Sequence, residues 1–215
     1  MSVDSDVGWL SIQPAKTALV VVDAQKAFTH DEGTPVQKGL DNTAAKERLP
    51  ELRNLIDLAR DHDLTVAYTR SIRRPDGSDS PQDTYDIVPG VYRNSEPSCI
   101  AGTLDVEYSA GIDPLSNEYE VSKVRYDAFN GTPLEHYLRA QDVSTVALCG
   151  FSTNVCVEST ARSAHERGFN VVAVADCCAA GSPKAHEAAI DNINRVIGTT
   201  VTSEEFAATL GDPSW

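Results

Sequence analysis

Three side chains suited to hydrolytic chemistry stand at comparable points of the chain. Asp23 and Lys123 end the short apolar runs "TALVVVD" and "YEVSK", and Cys156 follows the run "STVALCG" by six residues. A thiol is a weak nucleophile until it becomes a thiolate, and the unpaired backbone N–H groups of a first helical turn lower its pKa. Cys156 reads as lying in such a turn, with Ser152, Thr153 or Asn154 as the cap. A carboxylate beside the thiol can take its proton and later hand it to a leaving nitrogen. An ammonium next to both holds the carboxylate in place and favours the anion. Asp23 and Lys123 are the right chemical types. Read singly, each residue also has a plainer explanation: turn residue, solvated strand end, and core filler.

What would bring them together is a parallel sheet. Runs rich in β-branched residues alternate with amphipathic stretches of helical length, which predicts an α/β chain with helices on both faces of the sheet. Six strands are predicted: 17–23, 64–71, 119–123, 144–150, 170–176 and a shorter one at 199–203. Leu52, Leu55, Ile56 and Ala59 recur at helical spacing and predict a helix over 50–61, with Pro50 in its first turn or at a kink. Further helices read from "TPLEHYLRAQ", "TNVCVESTARSAHERG", "SPKAHEAAIDNINRVIG" and "SEEFAATL". In open α/β sheets, sites gather beyond the carboxyl ends of the strands, which is where Asp23, Lys123 and Cys156 fall. The segment 73–118, rich in Pro, Gly, Asp and Ser, has little regular pattern; connections of that length usually serve as lids or pocket walls.

A chain of 215 residues with 41% hydrophobic content suits one core, so residues 1–215 are expected to form a single domain. No run approaches the length of a membrane span, and "MSVDSDVGWLSIQP" lacks the basic start and apolar core of a signal peptide; a cytoplasmic protein with no membrane partner is expected. The formal charge of −14 disfavours a nucleic-acid partner, since binding one relies on clustered Lys and Arg. Only six of the eighteen basic residues are lysines and carboxylates are scattered over every segment, a pattern shared by halophilic and ordinary acidic proteins. The five cysteines show neither a CxxC pair nor a Cys/His cluster, and free thiols are expected. Cys149 reads as core, Cys177 and Cys178 as packing or site-lining, and the five histidines as helix and loop surface residues.

Four segments in order, "ALVVVDAQKAF", "IAGTLDVEY", "VSKVRYDAFNGTPLEHYLR" and "GFSTNVCVESTARSAHERGF", resemble the isochorismatase-like cysteine hydrolase superfamily over about Ala15 to Phe206. That superfamily includes nicotinamidases and the N-carbamoylsarcosine, biuret and ureidoacrylate hydrolases. The resemblance implies a three-layer α/β/α, Rossmann-like fold with a six-stranded, mainly parallel sheet. It implies Asp23 as general base and acid, Lys123 as orienting cation and Cys156 as nucleophile. It also implies a non-proline cis peptide at Phe151–Ser152 that helps aim backbone N–H groups, including that of Cys156, at the substrate oxygen. Homo-oligomers, dimers or tetramers, are expected on the same ground.

Nicotinamidases carry a D-x-H-type metal motif after the second strand, where this chain reads "YTRSIRRPDGSDSP" without a histidine; no metal and no other cofactor is therefore expected. True isochorismatases generally lack the cysteine kept here. The expectation is a metal-independent cysteine amidohydrolase acting on a small amide or carbamoyl or ureido compound, closest to the ureidoacrylate, biuret and N-carbamoylsarcosine side. The alternatives are a nicotinamidase-like or isochorismatase-like hydrolase, and a catalytically idle small-molecule-binding member. Candidate substrate-binding residues are Arg125 and Tyr126 for a carboxylate or carbonyl, Phe28 as a pocket wall, and Gln25 as a hydrogen-bonding group near Asp23.

Overall fold

In the computed structural model, six parallel strands form one sheet in the order β3-β2-β1-β4-β5-β6. The structure describes residues 12–79 and 97–210. The N-terminal stretch read above for a targeting signal, and the middle of the long 73–118 segment, lie outside the described residues. The strands are β1 (Thr17–Val22), β2 (Thr65–Ser71), β3 (Tyr119–Lys123), β4 (Thr145–Phe151), β5 (Asn170–Ala179) and β6 (Thr199–Val201). β1 is one of the two central strands and all six of its residues are buried. That is why "TALVVV" reads as a continuous apolar run: a parallel strand covered on both faces has no polar side to show.

Seven helices fill the connections among the described residues: α1 (Lys26–Thr29), α2 (Thr34–Gln37), α3 (Thr43–Asp61), α4 (Leu134–Ala140), α5 (Glu158–Glu166), α6 (Pro183–Val196) and α7 (Ser203–Leu210). α3 and α7 touch each other, as do α5 and α6. Right-handed crossovers on this strand order put the two pairs on opposite faces of the sheet. The buried apolar side chains form one contiguous cluster.

Three details differ from the sequence expectation. Helix α3 begins at Thr43 rather than Pro50, and Pro50 sits inside it. The proline removes one intrahelical N–H bond, but Ala45 ahead of it is buried together with Leu52, Leu55, Ile56, Leu58 and Ala59 behind it, so packing carries the helix through. β5 runs three residues past its predicted end and includes Cys177 and Cys178. The stretch around Cys156 is not α-helical from its start: Thr153–Val157 form a π-helical turn, and α5 begins only at Glu158.

Candidate active site

The strand order reverses between β1 and β4, the point at which an open sheet leaves a crevice beyond its carboxyl ends. Asp23 leaves β1 on one side of that crevice, and Cys156 leaves β4 on the other. The two strands approach so closely there that a Cβ on Gly150 would lie 2.0 Å from the Val22 carbonyl oxygen. Gly150 also takes φ +115°, a backbone conformation open to glycine and strained for other residues. The peptide that follows, Phe151–Ser152, is cis.

Asp23 adopts φ +48°, a left-handed conformation that Asp tolerates better than most residues. Its carboxylate is fully buried and held at both oxygens: the Thr69 hydroxyl donates to Oδ1 at 2.7 Å, and Lys123 Nζ donates to Oδ2 at 2.6 Å. Lys123 Nζ also donates to the Arg125 carbonyl at 3.0 Å. Burial by itself lowers the Lys123 pKa, but the Asp23 carboxylate beside it outweighs that and raises the value, so the group is an ammonium.

The Cys156 thiol is buried close enough to Asp23 and Lys123 to feel both of their charges. Here a sequence expectation is corrected. Burial pushes the thiol up, the Lys123 charge pulls it down only in part, and the neighbouring Asp23 carboxylate pushes it up again, to about 12 in all. The sulfur is therefore protonated at neutral pH. The opening turn does not behave as a simple helix start either. Ser152 makes no side-chain capping bond; its carbonyl accepts the amides of Val155 and Val157 at 3.1 and 3.2 Å. The amide of Cys156, between those two, is not bonded to that carbonyl, and wide turns of this kind recur at functional sites.

The thiol opens onto a small cavity that is partly open to solvent. Phe28, Arg73, Cys99, Tyr126 and Ser152 line it together with Cys156. Phe28 and Tyr126, the residues expected as a pocket wall and a binding group, both line this cavity. Arg125 contributes its carbonyl to Lys123 and is not among the residues lining the cavity. Gln25 is put to another use. Its amide is fully buried, donates to the carbonyls of Ser71 and Asp105, and accepts the Ser71 amide at 2.7 Å. It straps the ends of β1 and β2 to the long loop, and does not line the cavity.

Several residues at the site were not singled out by sequence reasoning. Thr69 is one, because a Thr inside a strand carries no signal of what its hydroxyl meets. Asp105 is another: its two oxygens accept the amides of Thr34 and Cys99, each at 2.8 Å, which fixes two segments of the cavity wall. Arg73 drew notice only for not being a histidine. His186, read as a surface residue, is partly buried, and its Nδ1 lies 2.9 Å from the Thr153 hydroxyl at the base of the π-helical turn. Cys149, Cys177 and Cys178 are buried away from this cavity, and all five thiols are free. Among the described residues, no group of three or more His, Cys, Asp or Glu is placed to hold a metal ion, and no helix is long and apolar enough to cross a membrane.

The isochorismatase domain model matches residues 17–205, which includes every residue of this site. The chain belongs to the isochorismatase-like hydrolase superfamily. Within it, the chain is 30% identical to the isochorismatase family protein YwoC of Bacillus subtilis (strain 168), across 92% of this chain and 95% of that one. It is 29% identical to the ureidoacrylate amidohydrolase RutB of Methylobacterium radiotolerans, across 95% and 83%. Among solved structures, a cysteine hydrolase from Pseudomonas syringae pv. phaseolicola 1448A superposes with a TM-score of 0.82 at 30% identity, covering 94% of this chain and 95% of that chain. The α/β fold of these isochorismatase-like hydrolases is therefore the fold of this protein.

Proposed function

We propose that this protein is a cysteine amidohydrolase that cleaves a C–N bond of a small amide, carbamoyl or ureido compound through a thioester on Cys156, without a metal. One observation carries the proposal: the buried Asp23–Lys123 ion pair lies close enough to Cys156 to shift its titration, and the Cys156 thiol lines a cavity. The likeness to a ureidoacrylate amidohydrolase and to a cysteine hydrolase points the same way.

The reaction has two halves. Substrate enters over Cys156, and Asp23 takes the thiol proton as the sulfur bonds to the carbonyl carbon and the C=O electron pair moves onto oxygen. Because burial keeps the thiol protonated in the free protein, the proton transfer accompanies attack instead of preceding it. The backbone amide of Cys156, which is not bonded to the Ser152 carbonyl, holds the oxyanion; one such donor is typically worth about a hundredfold or more in rate. The C–N bond then breaks, and Asp23 returns the proton to the leaving nitrogen, which departs as ammonia or an amine. In the second half, water gives a proton to Asp23 and its oxygen to the thioester carbon. The C–S bond breaks and the sulfur takes the proton back. Lys123 keeps Asp23 oriented and anionic between proton transfers.

Cys156→Ala should abolish turnover and leave the fold intact, because it removes one small side chain. Ammonia release from a panel of ureido acids, N-carbamoyl amino acids, biuret and nicotinamide checks both the activity and its range. Turnover retained in Cys156→Ala would remove the thioester from the mechanism.

A further inference from the structure

Cys156 reaches the cavity on a turn that is braced from outside. The Ser152 side chain makes no capping bond. The Ser152 carbonyl, which accepts the amides of Val155 and Val157 at 3.1 and 3.2 Å, belongs to the peptide that joins Ser152 to Thr153. The orientation of this one peptide therefore decides which amides of the turn it engages, and it leaves the Cys156 amide between them unbonded to it. Thr153 is fully buried, and its hydroxyl lies 2.9 Å from His186 Nδ1 on α6.

α6 is a firm support for that bond, because it packs directly on the turn. His186 stands in its first turn, where the His186 amide donates to the Ser182 carbonyl at 3.1 Å and the Ser182 hydroxyl caps the helix by accepting the Ala185 amide at 3.3 Å. Farther along, Ala189 and Ile193 are buried, and Asn192 donates to Glu158 at 3.2 Å just past the end of the turn. The helix thus holds the turn at both ends. The Asn192 bond is exposed, so water can replace either partner, whereas a buried hydroxyl that loses its partner stays unpaired. The charged groups facing the imidazole are Arg48 on α3 and Glu187 on α6. Burial and Arg48 hold its pKa below the ordinary imidazole value against the pull of Glu187, so the ring is neutral at pH 7 and Nδ1 can accept the Thr153 proton.

We propose that His186 is a positioning residue for the reaction: through the Thr153 hydroxyl it sets the Ser152–Thr153 peptide, and with it the aim of the Cys156 thiol and amide into the cavity. The inference rests on the amidohydrolase reading for what the thiol attacks. Neither His186 nor Thr153 lines the cavity, so the effect belongs in kcat and not in substrate binding.

The test compares Thr153→Val, which keeps the side-chain shape and removes the hydroxyl, with His186→Ala and His186→Asn. In ammonia-release assays the first two should each lower kcat about tenfold or more with KM changed by less than about twofold. The double variant should be no slower than the slower single one, since both remove the same bond. His186→Asn, whose side-chain amide puts a hydrogen-bonding atom near the Nδ1 position, should recover most of the rate. Ile193→Val, which trims the packing of the same helix, should lower the melting temperature and keep kcat. An unmoved kcat, losses that multiply in the double variant, or no recovery in His186→Asn would each overturn the role. Should Thr153→Val fail to fold, His186→Ala against His186→Asn decides. Alkylation of Cys156 by iodoacetamide at pH 9, read from its peptide by mass spectrometry, separates this inference from the hydrolase reading. If the wild-type protein releases no ammonia from any amide or ureido compound, the hydrolase reading fails and the alkylation rate alone decides: a several-fold rise in Thr153→Val and His186→Ala that His186→Asn reverses supports the role, and an unchanged rate overturns it. An active wild-type protein with kcat unmoved in both variants leaves the hydrolase standing and removes His186 from it.

Discussion

Cys156 is a thiol held protonated until it is needed. With burial pushing its pKa to about 12, alkylation by iodoacetamide at pH 7.5 should be slower than that of free cysteine, and should climb about tenfold per pH unit through pH 9 to 10 without levelling off. A plateau below pH 8 would mean that Lys123 forms a thiolate in the free protein. The sign of the linked stability follows: the folded state holds this proton more tightly than the unfolded chain, so the contribution is complete below the ordinary thiol value of 9.0 and is lost as pH rises toward about 12. Thr69 controls the partner. Its hydroxyl is the donor to Asp23 Oδ1, so Thr69→Val leaves one oxygen of a fully buried carboxylate without that bond. Stability should drop by about 1 to 3 kcal/mol in denaturant titration. The fall in kcat should exceed any change in KM, because Thr69 touches Asp23 and does not line the cavity.

The three reacting groups are brought together by how strands end. β1, β3 and β4 run parallel and finish at one edge, and their adjacent connections turn away from each other at the β1/β4 boundary. Gly150 permits that boundary to close. In Gly150→Ala the new Cβ would meet the Val22 carbonyl at 2.0 Å in a backbone region that L residues rarely enter. The expected result is a loss of about 3 kcal/mol or more, or failure to fold, read from thermal melts and circular dichroism. The π-helical turn Thr153–Val157 then offers the thiol to the cavity, with His186 on α6 bonded to the Thr153 hydroxyl beneath it. The Gln25 and Asp105 contacts do the same work on the opposite wall, joining β1, β2 and the long loop into one frame.

Net charge acts on the molecule as a whole. With −14 formal charges on 215 residues, folding compresses like charges, and screening should relieve that. The melting temperature should rise on going from 20 mM to 1 M KCl at neutral pH. Surface ion pairs such as Lys16–Asp142 and Lys46–Asp31 are solvent-exposed and lose strength in salt, whereas the Asp23–Lys123 pair is fully buried and is screened little. A melting temperature that falls with KCl would show that the surface pairs outweigh the repulsion between carboxylates.

The layered architecture was legible in the chain because alternation of buried strands with amphipathic helices is a local pattern, written in neighbouring residues. So were Asp23, Lys123 and Cys156, because parallel strands deliver their carboxyl ends to one edge regardless of the side chains between. Helix α3 was read seven residues short because Pro50 argues locally for a boundary, and only packing on both sides of it argues against. The protonation of Cys156 was misjudged for a related reason. A helix start is visible in sequence, but the depth of burial and a carboxylate on a distant strand are not, and these set the thiol's pKa. Gln25, Thr69, Asp105 and Arg73 belong to the same class. The sequence determined which groups the chain carries and at which edge they emerge. The tertiary structure decided which of them touch one another, because hydrogen bonds and desolvation act across a few ångströms between residues as far apart as Gln25 and Asp105.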